Sequence, residues 1–314
     1  MDAQTRWGVA GESFDLTQLE AELRQRWVKI GDIEVLPALQ VSVFDRLPST
    51  NQQVWQWLEA GAAEGRVAIA LEQTSGRGQW GRQWQSLPGG LYLSIALRPA
   101  MTPTQGTQLT MAIAWGVAEA LRQQSVPVQL KWLNDLVIDG RKLGGVLVET
   151  RLRREQIAQA VVGIGINWKN PVPDVGVQLS QVMAEQQLQT IPSLERLAAV
   201  VLQGAMAGYH GLQRAGIEVL LPHYEAILSH RGHIIPLPPS LYPGMEPRMG
   251  QVLGVTAAGQ LRVRLMPSSG SEDLSGECLK DSDDSTIEEI ALEPGCIQLG
   301  YRTGPLGTAW NCLG

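Results

Sequence analysis

Residues 128–166 read VQLKWLNDLVIDGRKLGGVLVETRLRREQIAQAVVGIGI, and the punctuation of this stretch decides the fold. Asp139-Gly140 is a two-residue turn signal, since both central positions of a type I′ turn take positive φ. It separates the apolar run 136–138 from 142–150, and a strand-like run at 156–166 follows after a charged stretch. Strands joined by hairpins lie side by side and antiparallel. Two such connections predict a mixed, largely antiparallel sheet flanked by helices, an α/β fold of the α+β kind, and argue against a doubly wound parallel one.

Upstream, strand and helix patterns alternate. Strands are expected at 39–45, 66–72, 91–97 and 128–132, with helices at 51–60 and about 105–124. Ser49-Thr50-Asn51 reads as an N-terminal capping cluster for the first of these helices. Helices at 193–214 and 217–229 should cover the sheet, and residues 15–29 carry helical apolar spacing that predicts a leading helix. Beyond His230 the texture changes to Pro-rich short strands, including 251–266 with a turn at Ala258-Gly259, which predicts a small β-barrel-like module. Residues 268–287 are rich in Ser, Asp and Glu and read as an acidic loop. The expected organisation is an extension over 1–38, a main domain over 39–229 and a small domain over 230–314.

Composition narrows the function classes. The 314 residues carry 25 Lys+Arg against 31 Asp+Glu, a formal charge of −6 with 44% apolar residues. That is a globular balance, without the basic surplus that general phosphate-backbone binding needs. No apolar run approaches the roughly 20 residues of a membrane-spanning helix, and the N-terminus has no basic and apolar leader pattern. A cytoplasmic protein that binds neither nucleic acid nor membrane is expected. The roughly 40 residues ahead of the first strand also leave little room for a winged helix-turn-helix module. Cys278, Cys296 and Cys312 form no C-x-x-C pair, so neither a disulfide framework nor a zinc cage is indicated. All four His lie beyond residue 209, which leaves the first two thirds of the chain without imidazole chemistry. His230 and His233 have i, i+3 spacing but no third soft ligand nearby, and His230 is expected to cap or follow a helix end.

Four segments bear chemistry. Residues 76–84, GRGQWGRQW, follow a buried strand; the glycines let backbone approach a ligand, and Arg77 and Arg82 offer forked donors to phosphate or carboxylate oxygens. No helix opens at the end of this loop, so it is not a Rossmann fingerprint. Read alone it is equally a surface loop with solvated arginines; an Arg/Trp stacking loop for single-stranded nucleic acid would need a continuous basic groove, and the flanking segments are nearly neutral. Residues 131–135, KWLND, place a cation, an amide and a carboxylate past a strand end; Asp135 suits Mg²⁺ beside a nucleotide and Lys131 phosphate charge, while a plain polar turn is the ordinary reading. Residues 141–149, RKLGGVLVE, put Lys142 at the first strand position, where a solvated edge lysine is common. Residues 163–168, GIGINW, end a strand with small residues and an amide.

Taken in order, STN at 49–51, QTSGRGQWGRQW at 73–84, KWLNDL at 131–136, RKLGGVLVE at 141–149 and GIGIN at 163–167 resemble the catalytic domain of biotin protein ligases, the biotin–[acetyl-CoA-carboxylase] ligases. The resemblance covers roughly 40–230, and the module after 230 resembles that family's SH3-like C-terminal domain. It implies an ATP-dependent enzyme that makes biotinyl-5′-AMP and transfers biotin to a Lys of a biotin carboxyl carrier protein of acetyl-CoA carboxylase. It further implies biotin, ATP and Mg²⁺ as ligands and a monomer or homodimer without an N-terminal DNA-binding domain. Position by position, it places Ser49, Thr50, Asn51 and Gln73 against the biotin ureido ring, with Arg77, Gly78, Gln79 and Lys142 completing the biotin site. Arg77, Arg82, Trp84, Lys131, Asn134 and Asn167 fall on the ATP or adenylate side, Lys142, Arg77 and Asp135 are the catalytic set, and Asp135 is the metal ligand. A lipoate-attaching ligase of the same fold and a non-catalytic biotin- or carrier-binding relative are the alternatives. The family's second loop Arg, in G-R-G-R, is Gln79 here, and the Pro of K-W-P-N-D is Leu133. The first departure removes a cation from the loop and predicts looser retention of the intermediate unless Trp80 or Arg82 compensates.

Overall fold

Helix α2 (Thr50–Glu59) carries the chain back between β1 (Gln40–Leu47) and β2 (Arg66–Gln73), so these two strands pair in parallel. Every other pairing in the sheet is antiparallel. β3 (Leu91–Leu97) pairs β2, and β4 (Gln129–Lys131), β5 (Asp135–Ile138), β6 (Arg141–Arg153) and β7 (Gln156–Ile166) follow helix α3 (Gly106–Gln123). The spatial order is β1-β2-β3-β7-β6-β5-β4. This is the mixed, largely antiparallel sheet expected from the 128–166 stretch, with Asp139 (φ 50°) and Gly140 (φ 75°) forming the β5–β6 turn. The computed structural model describes residues 14–25, 39–238, 241, 248–266, 288–302 and 310–311. The acidic 268–287 segment, most of the 1–38 extension, Cys278 and Cys312 lie outside these.

Alternating side chains give the sheet two different faces. Val67, Ile69, Ile95 and Val162 point to the side covered by α3 and by α5 (Leu194–Ala215), where the main core lies. Their neighbours Ala68, Ala96 and Val161 point the other way, against Val54 and Leu58 of α2. Because α2 covers only part of that second face, the rest is open to a ligand. α3 and α5 cross with their backbones nearly touching: a Cβ on Gly116 would stand 2.8 Å from Gly208 N, and one on Gly204 would stand 2.6 Å from the Ala120 Cβ. Gly116→Val is therefore expected to cost about 3 kcal/mol, as overpacking of a close crossing does, and a urea titration of the full chain reads it.

Local boundaries differ from expectation where tertiary contacts outbid propensity. The leading helix α1 is Leu16–Arg24, capped by the Asp15 side chain and tied to α5 by an Arg196–Glu22 ion pair at 2.9 Å. Ser49 sits at the N-cap of α2 but makes no capping hydrogen bond with its side chain. The Gln73 side chain instead accepts from Thr50 N at 2.8 Å. A short helix α4 (Leu179–Glu185) was not anticipated, and α6 (Ile217–Ala226) ends ahead of His230, which is buried with Nδ1 2.9 Å from Ser229 Oγ. Burial, followed by the nearby Lys131 and His233, pushes its pKa down to about 3.

Past α6, β8 (Ile234–Pro236), β9 (Met249–Val255), β10 (Leu261–Leu265) and β11 (Glu289–Leu292) make a four-stranded antiparallel sheet, and β12 (Tyr301–Arg302) pairs with β13 (Trp310–Asn311). The second sheet is joined to the β4–β5 turn through Trp132 Nε1, which donates to Gly259 O at 2.9 Å, and to α6 through Glu225, which accepts from Val255 N at 2.8 Å. Among the described residues no helix is long and apolar enough to cross a membrane.

Candidate active site

The open part of the α2-side face has small residues, Ser94, Gly163, Gly165 and Gly145, at the centre of its floor. Register places Ser94, Gly163 and Leu147 in one row across β3, β7 and β6, and Tyr92, Gly165 and Gly145 in the next, with Asp135 beside Gly145. The two β7 glycines have separate purposes. A Cβ on Gly163 would collide with the Asn51 amide, and one on Gly165 would stand 2.6 Å from Trp84 Nε1. Gly165→Ala is expected to push Trp84 off the sheet and weaken binding of a ligand seated there by at least about tenfold, the equivalent of ~1.4 kcal/mol, with little loss of fold; calorimetry on the folded variant would check this.

One end of the resulting cavity is a polar network. Thr50 Oγ1 donates to Gln73 Oε1 at 3.1 Å, Gln73 Nε2 donates to Ser86 Oγ at 2.7 Å, and Ser94 Oγ donates to Asn51 Oδ1 at 2.6 Å. Asn51 Nδ2 and Trp55 Nε1 both donate to Glu149, at 2.8 and 3.1 Å, and Glu149 also pairs with Arg77 at 3.4 Å. Ser49, Thr50 and Asn51 are all buried. Such a chain of satisfied amides and hydroxyls holds its members in fixed orientations.

The other end is charged. A β-bulge shifts the β5–β6 register between Leu136 and Val137, so that Lys142 pairs with Val137. Without the shift Lys142 would oppose Ile138 and point to the far face; with it, the side chain stands on the same face as Asp135. Lys142 Nζ lies 2.7 Å from Asp135 Oδ1, and Lys131 Nζ lies 3.4 Å from Oδ2, which also accepts the Tyr301 hydroxyl. Burial opposes ionisation of Asp135, but Lys142 and Lys131 outweigh it and hold the carboxyl at about 2. Burial likewise pulls Lys131 below the ordinary lysine value, with Asp135 opposing. Asn134 is tied in by a hydrogen bond from its amide to Val146 O.

The Gly-Arg loop closes the third side. It doubles back as a small hairpin, with an Arg77–Gln83 bridge, Gly78 N to Arg82 O at 2.7 Å and Trp84 N to Gly76 O at 3.0 Å. Its tip is a 3-10 turn over Gln79–Gly81 with Trp80 at φ 58°. Trp84 lies over the floor, its indole 5.3 Å from Lys142 Nζ.

Twelve of the fourteen residues selected from sequence line this one cavity: Ser49, Thr50, Asn51, Gln73, Arg77, Gly78, Gln79, Arg82, Trp84, Asn134, Asp135 and Lys142. The other two flank it. Lys131 faces an adjoining cleft shared with Arg82 and Asp135, and Asn167 faces a recess shared with Trp84 and Lys142, its amide donating to Lys142 O at 3.2 Å. Glu149, Ser94, Ser86 and Tyr301 were not selected, although Glu149 ends the quoted RKLGGVLVE run. Mg²⁺ does not fit the side chains as they stand. Both Asp135 oxygens are taken by ammonium or hydroxyl donors, and no group of three His, Cys, Asp or Glu residues suited to a metal occurs among the described residues.

Residues 43–167 match the Biotin/lipoate A/B protein ligase family. The chain is 31% identical over 199 residues to the bifunctional ligase/repressor BirA of Escherichia coli (strain K12), covering 63% of this chain and 59% of that protein. It is 31% identical over 134 residues to the biotin–[acetyl-CoA-carboxylase] ligase of Paracoccus denitrificans, covering 42% and 55%. The alignments thus span less than two thirds of these curated relatives. The fold is similar to that of the biotin protein ligase from Aquifex aeolicus in complex with biotin and ATP, at TM-score 0.59 and 24% identity over 73% of this chain and 96% of that one.

Proposed function

We propose that this chain, whose residues 43–167 match the Biotin/lipoate A/B protein ligase family, activates biotin with ATP and transfers the biotinyl group to a lysine of an acceptor protein. The observation that carries this is the meeting, in one cavity, of an end rich in amides and hydroxyls and a lysine-bearing end. A ureido ring offers two N–H donors and a carbonyl, which suits the Thr50, Asn51 and Gln73 network. The carboxylate of the same ligand, reaching along the glycine floor, arrives beside Lys142.

In the first step a biotin carboxylate oxygen bonds to the ATP α-phosphorus, and the bond from that phosphorus to the departing pyrophosphate breaks. Both reactants are anions, so the chain must hold them together and neutralise charge. Lys142, Lys131, Arg77 and Arg82 supply that charge, and Asp135 keeps the two ammonium groups apart and directed. In the second step a neutral lysine amine bonds to the acyl carbon, AMP leaves with the electron pair, and the amine sheds its proton. No imidazole is called for in either step. The acceptor we propose is the biotin carboxyl carrier protein of acetyl-CoA carboxylase, as the name of the Paracoccus relative suggests.

Mass spectrometry of an apo biotin carrier domain incubated with the protein, biotin and Mg-ATP tests the proposal. A single biotinyl addition that disappears when ATP is omitted is expected; absence of any addition, with biotin binding retained, rejects it in favour of a binding-only relative or another acyl group. The Gln79 departure has its own expected outcome. Trp80 at the loop tip lies against Gly295, where an added Cβ would stand 3.0 Å from the indole, and Arg82 lines the cavity. Gln79→Arg is expected to slow biotinyl-AMP release by at least about tenfold, ~1.5 kcal/mol for one added charged hydrogen bond. Equal release rates in a rapid-quench comparison would mean that Trp80 and Arg82 already do the work.

A further inference from the structure

Asp135 is approached from three sides, and one approach comes from the far end of the chain. Tyr301 donates its hydroxyl to Asp135 Oδ2, and its ring lies 4.1 Å from Lys131 Nζ and 5.6 Å from Lys142 Nζ. The segment that brings it there is anchored at both ends. Arg302 N donates to Gly140 O at 2.9 Å, beside the β5–β6 turn, and Gly295 lies under Trp80 at the tip of the Gly-Arg loop. Between these anchors, residues 294–301 form one wall of the cleft that Lys131 and Arg82 face.

The geometry points to Tyr301 as a positioning residue for the adenylating centre: its hydroxyl fixes the rotation of the Asp135 carboxylate, and its ring closes the outer side of Lys131. The inference rests on the ligase reading of the same site. Oδ1 meets Lys142 at 2.7 Å while Oδ2 meets Lys131 at only 3.4 Å. With the phenol gone, nothing but Lys131 holds Oδ2, and the carboxylate is free to turn toward it and slacken its hold on Lys142. A phenol suits the task because it can donate to a carboxylate without adding charge. Burial, reinforced by Asp135, drives its own ionisation far above the ordinary tyrosine range, so it stays a neutral donor.

The test uses the full chain as wild type, Tyr301→Phe and Tyr301→Ala. Biotin-dependent exchange of labelled pyrophosphate into ATP gives kcat, calorimetry gives the biotin Kd, and competitive acetylation read by mass spectrometry compares Lys131 with the exposed Lys169. Tyr301→Phe is expected to lower kcat about tenfold, the equivalent of ~1.4 kcal/mol, and to leave the biotin Kd within about twofold, since positioning acts on the reacting end and not on the ureido end. Tyr301→Ala should also raise Lys131 acetylation relative to Lys169. Unchanged exchange in Tyr301→Phe overturns the inference, as does a parallel loss of kcat, biotin affinity and unfolding midpoint, which would mean general loosening. Should the wild type show no exchange, the ligase reading fails on its own. The acetylation comparison then decides the placement: a rise in Tyr301→Ala upholds Tyr301 as the cover of Lys131, and no rise removes it.

Discussion

Lys142→Ala is expected to lower biotinyl-AMP formation by about 10³-fold, the loss of roughly 4 kcal/mol that follows when a preorganised charge is taken from a transition state gaining negative charge. The size follows from where Lys142 stands. Its ammonium is on the cavity side of Asp135, at the end of the glycine floor where the carboxylate of a bound ligand would lie. Lys131 cannot take over from this position, because it is held on the opposite carboxylate oxygen under the Tyr301 ring. The fold should tolerate the change. Asp135 keeps Lys131 and the Tyr301 hydroxyl as partners, so stability should fall by no more than about 1–2 kcal/mol. Pyrophosphate exchange and urea unfolding on the same sample separate the two effects. Exchange at a tenth of the wild-type rate or better would show that another group carries the phosphate charge.

Lys142 also shows how far the sequence could be read. Asp139-Gly140 announces the hairpin, and with it the antiparallel half of the sheet, because a two-residue turn with positive φ is a local signal. The glycines of the loop and of β7 mark close approach for the same reason: they are visible as residue types at fixed spacings. Local spacing does not show that a one-residue bulge turns Lys142 onto the site face. From the alternation of β6 alone it falls on the opposite side from Asp135. Glu149 is hidden in another way. It is one acidic residue within a strand, yet it gathers Asn51, Trp55 and Arg77, whose chain positions are 72 to 98 residues away. Tyr301 lies 166 residues from Asp135 in a stretch without periodicity, and only the folding of the C-terminal strands against the first sheet brings it to the lysines. The cap of α2 follows the same logic: Ser49 has the right residue type, but Gln73 is already committed to the network and reaches Thr50 first.

Asp135→Asn is expected to be the most destabilising single change in the site, by about 3–5 kcal/mol, the usual result of removing one partner from a buried ionic cluster. The substitution keeps shape and an oxygen acceptor but leaves Lys131 and Lys142 as neighbouring cations, one of them nearly buried, without a counter-charge. The pH dependence identifies the mechanism. The carboxyl is held at about 2 in the folded protein, below its ordinary value near 4 when unfolded. A depressed carboxyl stabilises the fold fully above its unfolded pKa, and that contribution is lost as the pH falls from about 4 through about 2. The shift corresponds to roughly 2 kcal/mol. The gap in unfolding free energy between wild type and Asp135→Asn should therefore be constant from pH 7 to about 5 and narrow steadily toward pH 2.5. Urea titrations of both proteins at matched ionic strength measure it, and taking the difference cancels the carboxylates they share. A gap that stayed constant into acid would mean that Asp135 serves by shape and hydrogen bonding and that its charge is not what organises the two lysines.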